Sequence, residues 1–201
     1  MRIITGKLKG RRFDAPKDVQ VRPTSDRAKE GLFNVIEARR FINNTRVLDL
    51  FAGSGNLSFE AISRGARSAL MIEASTNAVK HMMKVAETFG IADQVSAMAM
   101  PVERFLKQRS SKYDIIFADP PYDWPEIPEM VEQVLNDGWL ESDGWFILEH
   151  DVRHLFHDHP RCVFTKPYGR TVVSVFMLAE KGTEDDPAEK TETDTETKTD
   201  D

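Results

Sequence analysis

The stretch Val47-Leu48-Asp49-Leu50-Phe51-Ala52-Gly53-Ser54-Gly55 decides the fold. Its first five residues are apolar except for Asp49, as in a strand buried on both faces. The Gly-x-Gly turn that follows lets a backbone approach a ligand closely, and residues 56–64 after it read as a helix. The alternation continues downstream, with strands expected at 46–51, 69–72, 95–99, 113–118 and 144–149. A helix is expected over 75–89, where Val79, Met82, Met83 and Ala86 form an i, i+3, i+4, i+7 stripe. Ile127, Met130, Val131, Val134 and Leu135 form a second stripe, ending at Gly138. Both stripes are expected to face the core. Strands alternating with helices imply an α/β fold with a mostly parallel sheet covered on both faces. The end differs: Val163-Phe164-Thr165, a turn at Pro167-Tyr168-Gly169 and a strand over 171–178 predict a C-terminal antiparallel hairpin.

A chain of 201 residues with 40% hydrophobic content can bury one sizeable core, which excludes a multidomain machine. No apolar run approaches the roughly 20 residues of a membrane span, and the first residues lack the long apolar core of a secretion signal. The single cysteine, Cys162, excludes an intramolecular disulfide and a cysteine-cluster metal site, so a cytoplasmic protein is expected. Cys162 itself reads as a small buried or half-buried residue.

The net charge of −6 is unevenly divided. Residues 183–201 carry nine acids and two lysines and no large apolar residue, and the tail over 181–201 is expected to be disordered and solvated. Residues 1–46 carry twelve Lys/Arg against five Asp/Glu. Within them, Arg2, Lys7, Lys9, Arg11 and Arg12 sit in short β-like pieces separated by Gly6 and Gly10. This predicts a small basic N-terminal β-hairpin that contacts a polyanion. A helix capped by Thr24 or Ser25 follows, with Ala28, Leu32 and Ile36 on one face. The expected organisation is a hairpin-and-helix segment over 1–45, a core over 46–180, and the tail.

The Gly-x-Gly turn lacks the third glycine of a dinucleotide fingerprint, because position 58 is Ser58. Glu73 ends the second strand 20 residues after Gly53, where a carboxylate can accept both ribose hydroxyls of an adenosyl group. Next comes Asp114-Ile115-Ile116-Phe117-Ala118-Asp119-Pro120-Pro121-Tyr122, a strand delivering an acid, two prolines and an aromatic to the sheet edge where ligands bind. The prolines stiffen the backbone, so the Asp119 side chain and the Pro120 carbonyl can accept both hydrogens of one amino group. An exocyclic base amine is a poor nucleophile because its lone pair is delocalised, and such a clamp frees that pair. Tyr122 offers a face on which a base can stack.

These motifs resemble those of class I S-adenosylmethionine-dependent methyltransferases acting on amino groups. Arg2-Ile3-Ile4-Thr5-Gly6, Gly10-Arg11-Arg12, Arg22-Pro23-Thr24-Ser25-Asp26-Arg27, Leu32-Phe33-Asn34 and Tyr168-Gly169-Arg170-Thr171 narrow the resemblance. Over residues 1 to about 180, the chain resembles the RsmD-type ribosomal RNA guanine-N2 methyltransferases of the bacterial small subunit.

The resemblance implies a Rossmann-like class I methyltransferase fold with a seven-stranded sheet. It also implies S-adenosylmethionine as cofactor, with S-adenosylhomocysteine as product and no metal. Asp49, Gly53 and Gly55 would surround the methionine part and Glu73 the ribose, and Phe51 would also contact the cofactor. Arg22, Pro23 and Thr24 would approach the amino-acid end and the target pocket. Many relatives have an acid near residues 99–101, where this chain has none, so backbone groups of Ala99 and Met100 would meet the adenine. Asp119, Pro120 and Tyr122 would be catalytic, and Arg2, Lys7, Lys9, Arg11 and Arg12 would hold phosphates of 16S rRNA or the assembling small ribosomal subunit. A monomer without membrane contact is expected.

The same amine clamp would serve a DNA adenine or a protein glutamine. A non-catalytic RNA-binding assembly factor would have no need of the clamp. The cluster His150, His154, His157 and His159 lacks a recognised metal-ligand spacing and reads as surface histidines.

Overall fold

The computed structural model describes residues 1–16, 26–39, 42–109, 111–169 and 171–178. Arg22, Thr24, Ser25, Arg170 and the acidic tail lie outside the described residues.

The chain runs α1 (Asp26–Arg39), β1 (Arg46–Leu50), α2 (Asn56–Ser63), β2 (Ser68–Glu73), α3 (Thr76–Phe89), β3 (Val95–Ala99), α4 (Val102–Phe105), β4 (Tyr113–Ala118), α5 (Ile127–Asn136), β5 (Leu140–Asp151), β6 (Cys162–Tyr168) and β7 (Thr171–Phe176). The seven strands form one sheet in the order β3-β2-β1-β4-β5-β7-β6. The first five are parallel, whereas β7 is antiparallel to β5 and to β6. This is the expected mostly parallel sheet with an antiparallel finish.

Strand alternation divides the core between two layers. On one face Val47, Ile115 and Phe117 pack with Leu32, Phe33 and Ile36 of α1, Phe59 of α2 and Met82 of α3. On the other, Leu48, Leu50, Ile116 and Ala118 pack with Val102, Phe105 and the α5 stripe Ile127, Met130, Val131, Val134 and Leu135. Along α3 the buried face is Ala78, Met82, Val85, Ala86 and Phe89, while Val79 and Met83 are half-buried. The face is turned because Phe13, arriving from the N-terminal segment, sets its ring edge-on against Phe59 and Phe89.

Two expectations are corrected. The strand expected over 144–149 extends to Leu140–Asp151, pairing with both β4 and β7. Pro167 lies within β6 instead of the turn, which its missing N–H allows on an outermost strand. The expected N-terminal hairpin is present as a short one: Arg2 and Arg12 form an antiparallel bridge, Met1 and Phe13 exchange donors on one side of it, and on the other the Ile3 amide donates to the Arg11 carbonyl at 2.9 Å. The donors between its two arms go elsewhere. The amides of Ile4 and Thr5 go to the Glu60 carboxylate at 2.8 and 3.0 Å, and that of Leu8 goes to Ser63 Oγ at 2.9 Å. The segment therefore lies along α2. Gly6 makes this approach possible: at φ 85°, a Cβ there would sit 1.8 Å from the Ser63 carbonyl oxygen.

Candidate active site

The carboxyl ends of β1, β2 and β4 deliver Asp49, Glu73 and Asp119 to one edge of the sheet. After β1 the chain turns through Phe51 (φ 64°) and Gly53 (φ 55°) to Gly55 (φ 76°), which opens α2. The two glycines have different tasks. A Cβ on Gly55 would lie 2.9 Å from the Phe59 ring and 3.1 Å from the sulfurs of Met71 and Met82, so this glycine serves packing. A Cβ on Gly53 would meet nothing closer than the Phe51 carbonyl oxygen at 3.9 Å, so the backbone there borders open space. Such a position leaves room for a ligand.

Glu73 braces this loop. Its carboxylate accepts from the amide of Gly53 at 3.0 Å and from that of Ser75 at 2.9 Å, and Ser75 caps α3. Each oxygen retains a second lone pair for a hydroxyl. Asp49 points to the α2 side and is only 3% exposed, and Ser58 Oγ donates to it at 2.7 Å. Burial pushes its carboxyl up to about 7, reinforced by the negative charges of Asp119 and Glu73 and opposed by Ser58. Three carboxylates are thus close enough to repel one another, an arrangement that a cation relieves. Ser58, at the position of the absent third glycine, has a role that the fingerprint comparison did not disclose.

Asp119 is partly buried and Pro120 buried, while Pro121 is exposed and Tyr122 half-buried. The Tyr122 hydroxyl bonds to that of Thr171 in β7, which ties the loop to the antiparallel end of the sheet. Trp124 places its ring edge-on to Phe51 with centroids 4.9 Å apart, joining the acid-Pro-Pro-aromatic loop to the glycine loop. Trp124 was not singled out by the sequence, where an aromatic two places after Tyr122 was the available signal; Thr171 was read only as part of the Tyr168-to-Thr171 motif, without this partner.

Ala99 ends β3 beside Glu73 and is exposed. The Met100 amide donates to the Glu73 carbonyl at 2.9 Å, which commits one of the backbone groups expected to meet an adenine. The Met100 side chain, 3.0 Å from Gln108 Nε2 through its sulfur, remains half-buried beside it.

The basic segment is only partly at this edge. The Arg2 carbonyl accepts from Lys29 Nζ, which also bonds Asn56 at the start of α2. The chain then descends α2, and Lys7 N reaches the carbonyl of Ser63 at its end. Lys7 Nζ bonds Gln94 at 2.6 Å and Arg11 bonds the Thr88 carbonyl at 3.2 Å, both at the amino edge of the sheet. Arg2, Lys7, Lys9, Arg11 and Arg12 are all exposed. Lys7 and Arg11 lie at the edge opposite Asp119.

The histidine reading is corrected at His150, which is 1% exposed. Its Nδ1 donates to the Asp151 carbonyl at 2.9 Å and its Nε2 accepts from Ser174 at 2.8 Å. The hairpin β6–β7 covers a position that the sequence left at a strand end. Cys162 is buried, as expected.

The family model described as conserved hypothetical protein 95 matches residues 1–177. The chain belongs to this family. Ribosomal RNA small subunit methyltransferase D of Escherichia coli (strain K12) is 35% identical over 156 residues, covering 77% of this chain and 76% of that protein. The solved structure of yhhF from Escherichia coli matches with a TM-score of 0.78 at 30% identity, covering 88% of this chain and 96% of that one. An RNA methyltransferase from Salinibacter ruber, in complex with S-adenosyl-L-homocysteine, shares the fold at 15% identity. Its TM-score is 0.61 over 82% of this chain and 98% of that one. The RsmD-type resemblance and the class I methyltransferase fold expected from the sequence are thereby established, and membership in the family makes the chain a methyltransferase.

Proposed function

We propose that this chain transfers a methyl group from S-adenosylmethionine to the exocyclic N2 amine of a guanine in 16S ribosomal RNA, free or within the assembling small subunit. The observation that carries the reading is the convergence of Asp49, Glu73 and Asp119, with Asp49 held near neutrality until a cation arrives. The printed name of the Escherichia coli relative supports the substrate.

When bound, the cofactor supplies a methyl group on a sulfonium that an amine can displace, leaving S-adenosylhomocysteine. The residues fit such a group. Asp49, ionised beside a positive charge, balances the ammonium and sulfonium end. Glu73 offers its remaining lone pairs to ribose hydroxyls, and Gly53 leaves room for close approach. Arg22 and Thr24 are assigned to the amino-acid end, and Ala99 and Met100 to the adenine.

Asp119 and the Pro120 carbonyl accept the two hydrogens of the guanine amine, freeing its lone pair to form the nitrogen–carbon bond as the carbon–sulfur bond breaks. A proton leaves the nitrogen afterwards. Tyr122, its hydroxyl tethered to Thr171, presents its ring to the base. Alignment is the main contribution asked of the protein, a term of about 7–11 kcal/mol for well-placed groups. A paired or stacked guanine cannot enter such a site, so the target lies in a loop or is flipped out.

The test is transfer of labelled methyl to small subunits, and to their RNA, lacking this modification, followed by nucleoside analysis. N2-methylguanosine that disappears with Asp119→Ala, while cofactor affinity stays within a few fold, is the expected result. Label in DNA adenine or protein glutamine, or full turnover in Asp119→Ala, would overturn the reading.

A further inference from the structure

Strands β4 and β5 run parallel, so the loop after β5 emerges at the same edge as residues 119–122. In that loop a buried carboxylate organises an exposed arginine. Asp151, 2% exposed, accepts from the Arg153 amide at 3.0 Å and from its Nε at 2.8 Å. Arg153 Nη2 then reaches across 31 positions of sequence to the carbonyl of Tyr122 at 3.2 Å. These bonds use Nε and Nη2 and leave the Nη1 donors, on a side chain that is 67% exposed.

From this geometry we infer that Arg153 is a phosphate anchor for the nucleotide whose base enters the Asp119–Tyr122 loop, an inference that rests on the proposed RNA substrate. A base stacked at Tyr122 carries its sugar and phosphates at the rim of that loop, where the guanidinium lies. Guanidinium is the group suited to this task, being planar, permanently charged and able to donate from two edges at once. A free arginine would lose side-chain entropy on capturing a phosphate. Here Asp151 and the Tyr122 carbonyl have already fixed it.

Among the acids of the loop and of α5, Asp158 lies against His157 and Glu132 against His159. Lys7 and Arg11 lie at the far edge of the sheet. Holding the phosphates of an extruded base therefore falls to groups at the near edge, and Arg153 is bonded to the loop itself.

The experiment compares wild type with Arg153→Met, Arg153→Lys and Arg67→Met, the last removing an exposed arginine before β2 at the opposite edge. Affinity for a single-stranded guanine-containing RNA is measured by fluorescence anisotropy from 50 to 300 mM salt. Methyl transfer to small-subunit particles is measured in parallel. Neutralising one phosphate contributes about 0.7 to the slope of log affinity against log salt for single strands. Arg153→Met is expected to lose about that much slope and to bind RNA about 3–10-fold more weakly near 150 mM salt, with cofactor affinity unchanged. Arg153→Lys and Arg67→Met should keep the wild-type slope. An unchanged slope in Arg153→Met, even with slower turnover, would reduce Arg153 to a brace for the Tyr122 loop and overturn the anchor. If the wild type neither binds RNA nor transfers methyl to the particles, the proposed function falls and the anchor with it.

Discussion

The ammonium of Lys29 lies 3.1 Å from the carboxylate of Glu60, and both side chains are fully buried. Lys29 also donates to the Arg2 carbonyl at 2.6 Å and to Asn56 Oδ1 at 2.8 Å. Glu60 accepts in addition from Arg64 Nε at 2.9 Å and from the amides of Ile4 and Thr5. One buried pair thus binds α1, the start of α2 and the N-terminal segment together. Lys29→Met should cost about 3–5 kcal/mol in urea unfolding, because it removes one of the two cations paired with buried Glu60 and takes a donor from the Arg2 carbonyl and Asn56. Lys29→Met combined with Glu60→Met should recover part of that loss; a double variant as unstable as the sum of its parts would contradict the pairing.

Asp49 should make cofactor binding release a proton. Its carboxyl is raised from 3.8 to about 7, so between those values the folded chain holds a proton that the unfolded chain has lost. Its contribution to stability is therefore present at low pH and is lost as pH rises through 7. A cation beside Asp49 expels the proton, and affinity for S-adenosylmethionine should climb from pH 5.5 to a plateau above 7.5. Calorimetric titration near pH 6 in two buffers of different ionisation enthalpy should give different heats for wild type and equal heats for Asp49→Asn. Equal heats for the wild type would remove the assignment.

Tyr122 has two separable parts, a ring and a hydroxyl bonded to Thr171. Tyr122→Phe keeps the ring and should lower kcat about tenfold through a loosened loop, with KM for RNA little changed. Tyr122→Ala loses the stacking face as well, a loss of about 1–3 kcal/mol per base, and should raise KM for RNA. Steady-state kinetics on small-subunit particles distinguishes them, and identical effects of the two variants would refute the division.

His150 predicts an acid-side loss of stability. Burial holds its imidazole below the usual 6.5, with His154 adding to the effect. Below 6.5 the unfolded chain takes up a proton that the folded chain refuses, so stability falls as pH falls through that value. Thermal melting from pH 7 to pH 5 should decline more steeply for wild type than for His150→Gln; parallel curves would exclude His150 as the cause.

Much of the fold was legible because its signals are local. Residues 95–99 and 113–118 read as strands from their own apolar character, and both bounds match the observed strands. The α5 stripe likewise needed no tertiary information. What escaped depends on partners distant in sequence. Lys29 and Glu60 are charged residues of ordinary helices until the fold buries both. His150 is a strand-end histidine until Ser174, 24 residues later, takes its ring. The N-terminal hairpin was legible, but its attachment to α2 was not, since the amides of Ile4, Thr5 and Leu8 find Glu60 and Ser63 some 55 residues away. At the site, the spacing of Gly53, Glu73 and Asp119 carried the prediction. The separate tasks of Gly53 and Gly55 appear only when the space around each is known.

The outermost strand, β6, has a further consequence. Its solvent-facing stretch Thr165, Lys166 and Pro167 is exposed, and Pro167 offers no amide to a newcomer. A charged side chain and a missing donor are what discourage another chain from extending a sheet. The same strand brings Tyr168 to within reach of Gly31 on α1, so it cannot be shortened without disturbing that contact. Lys166 and Pro167 thus act as guards against aggregation on an edge that the molecule has to keep open.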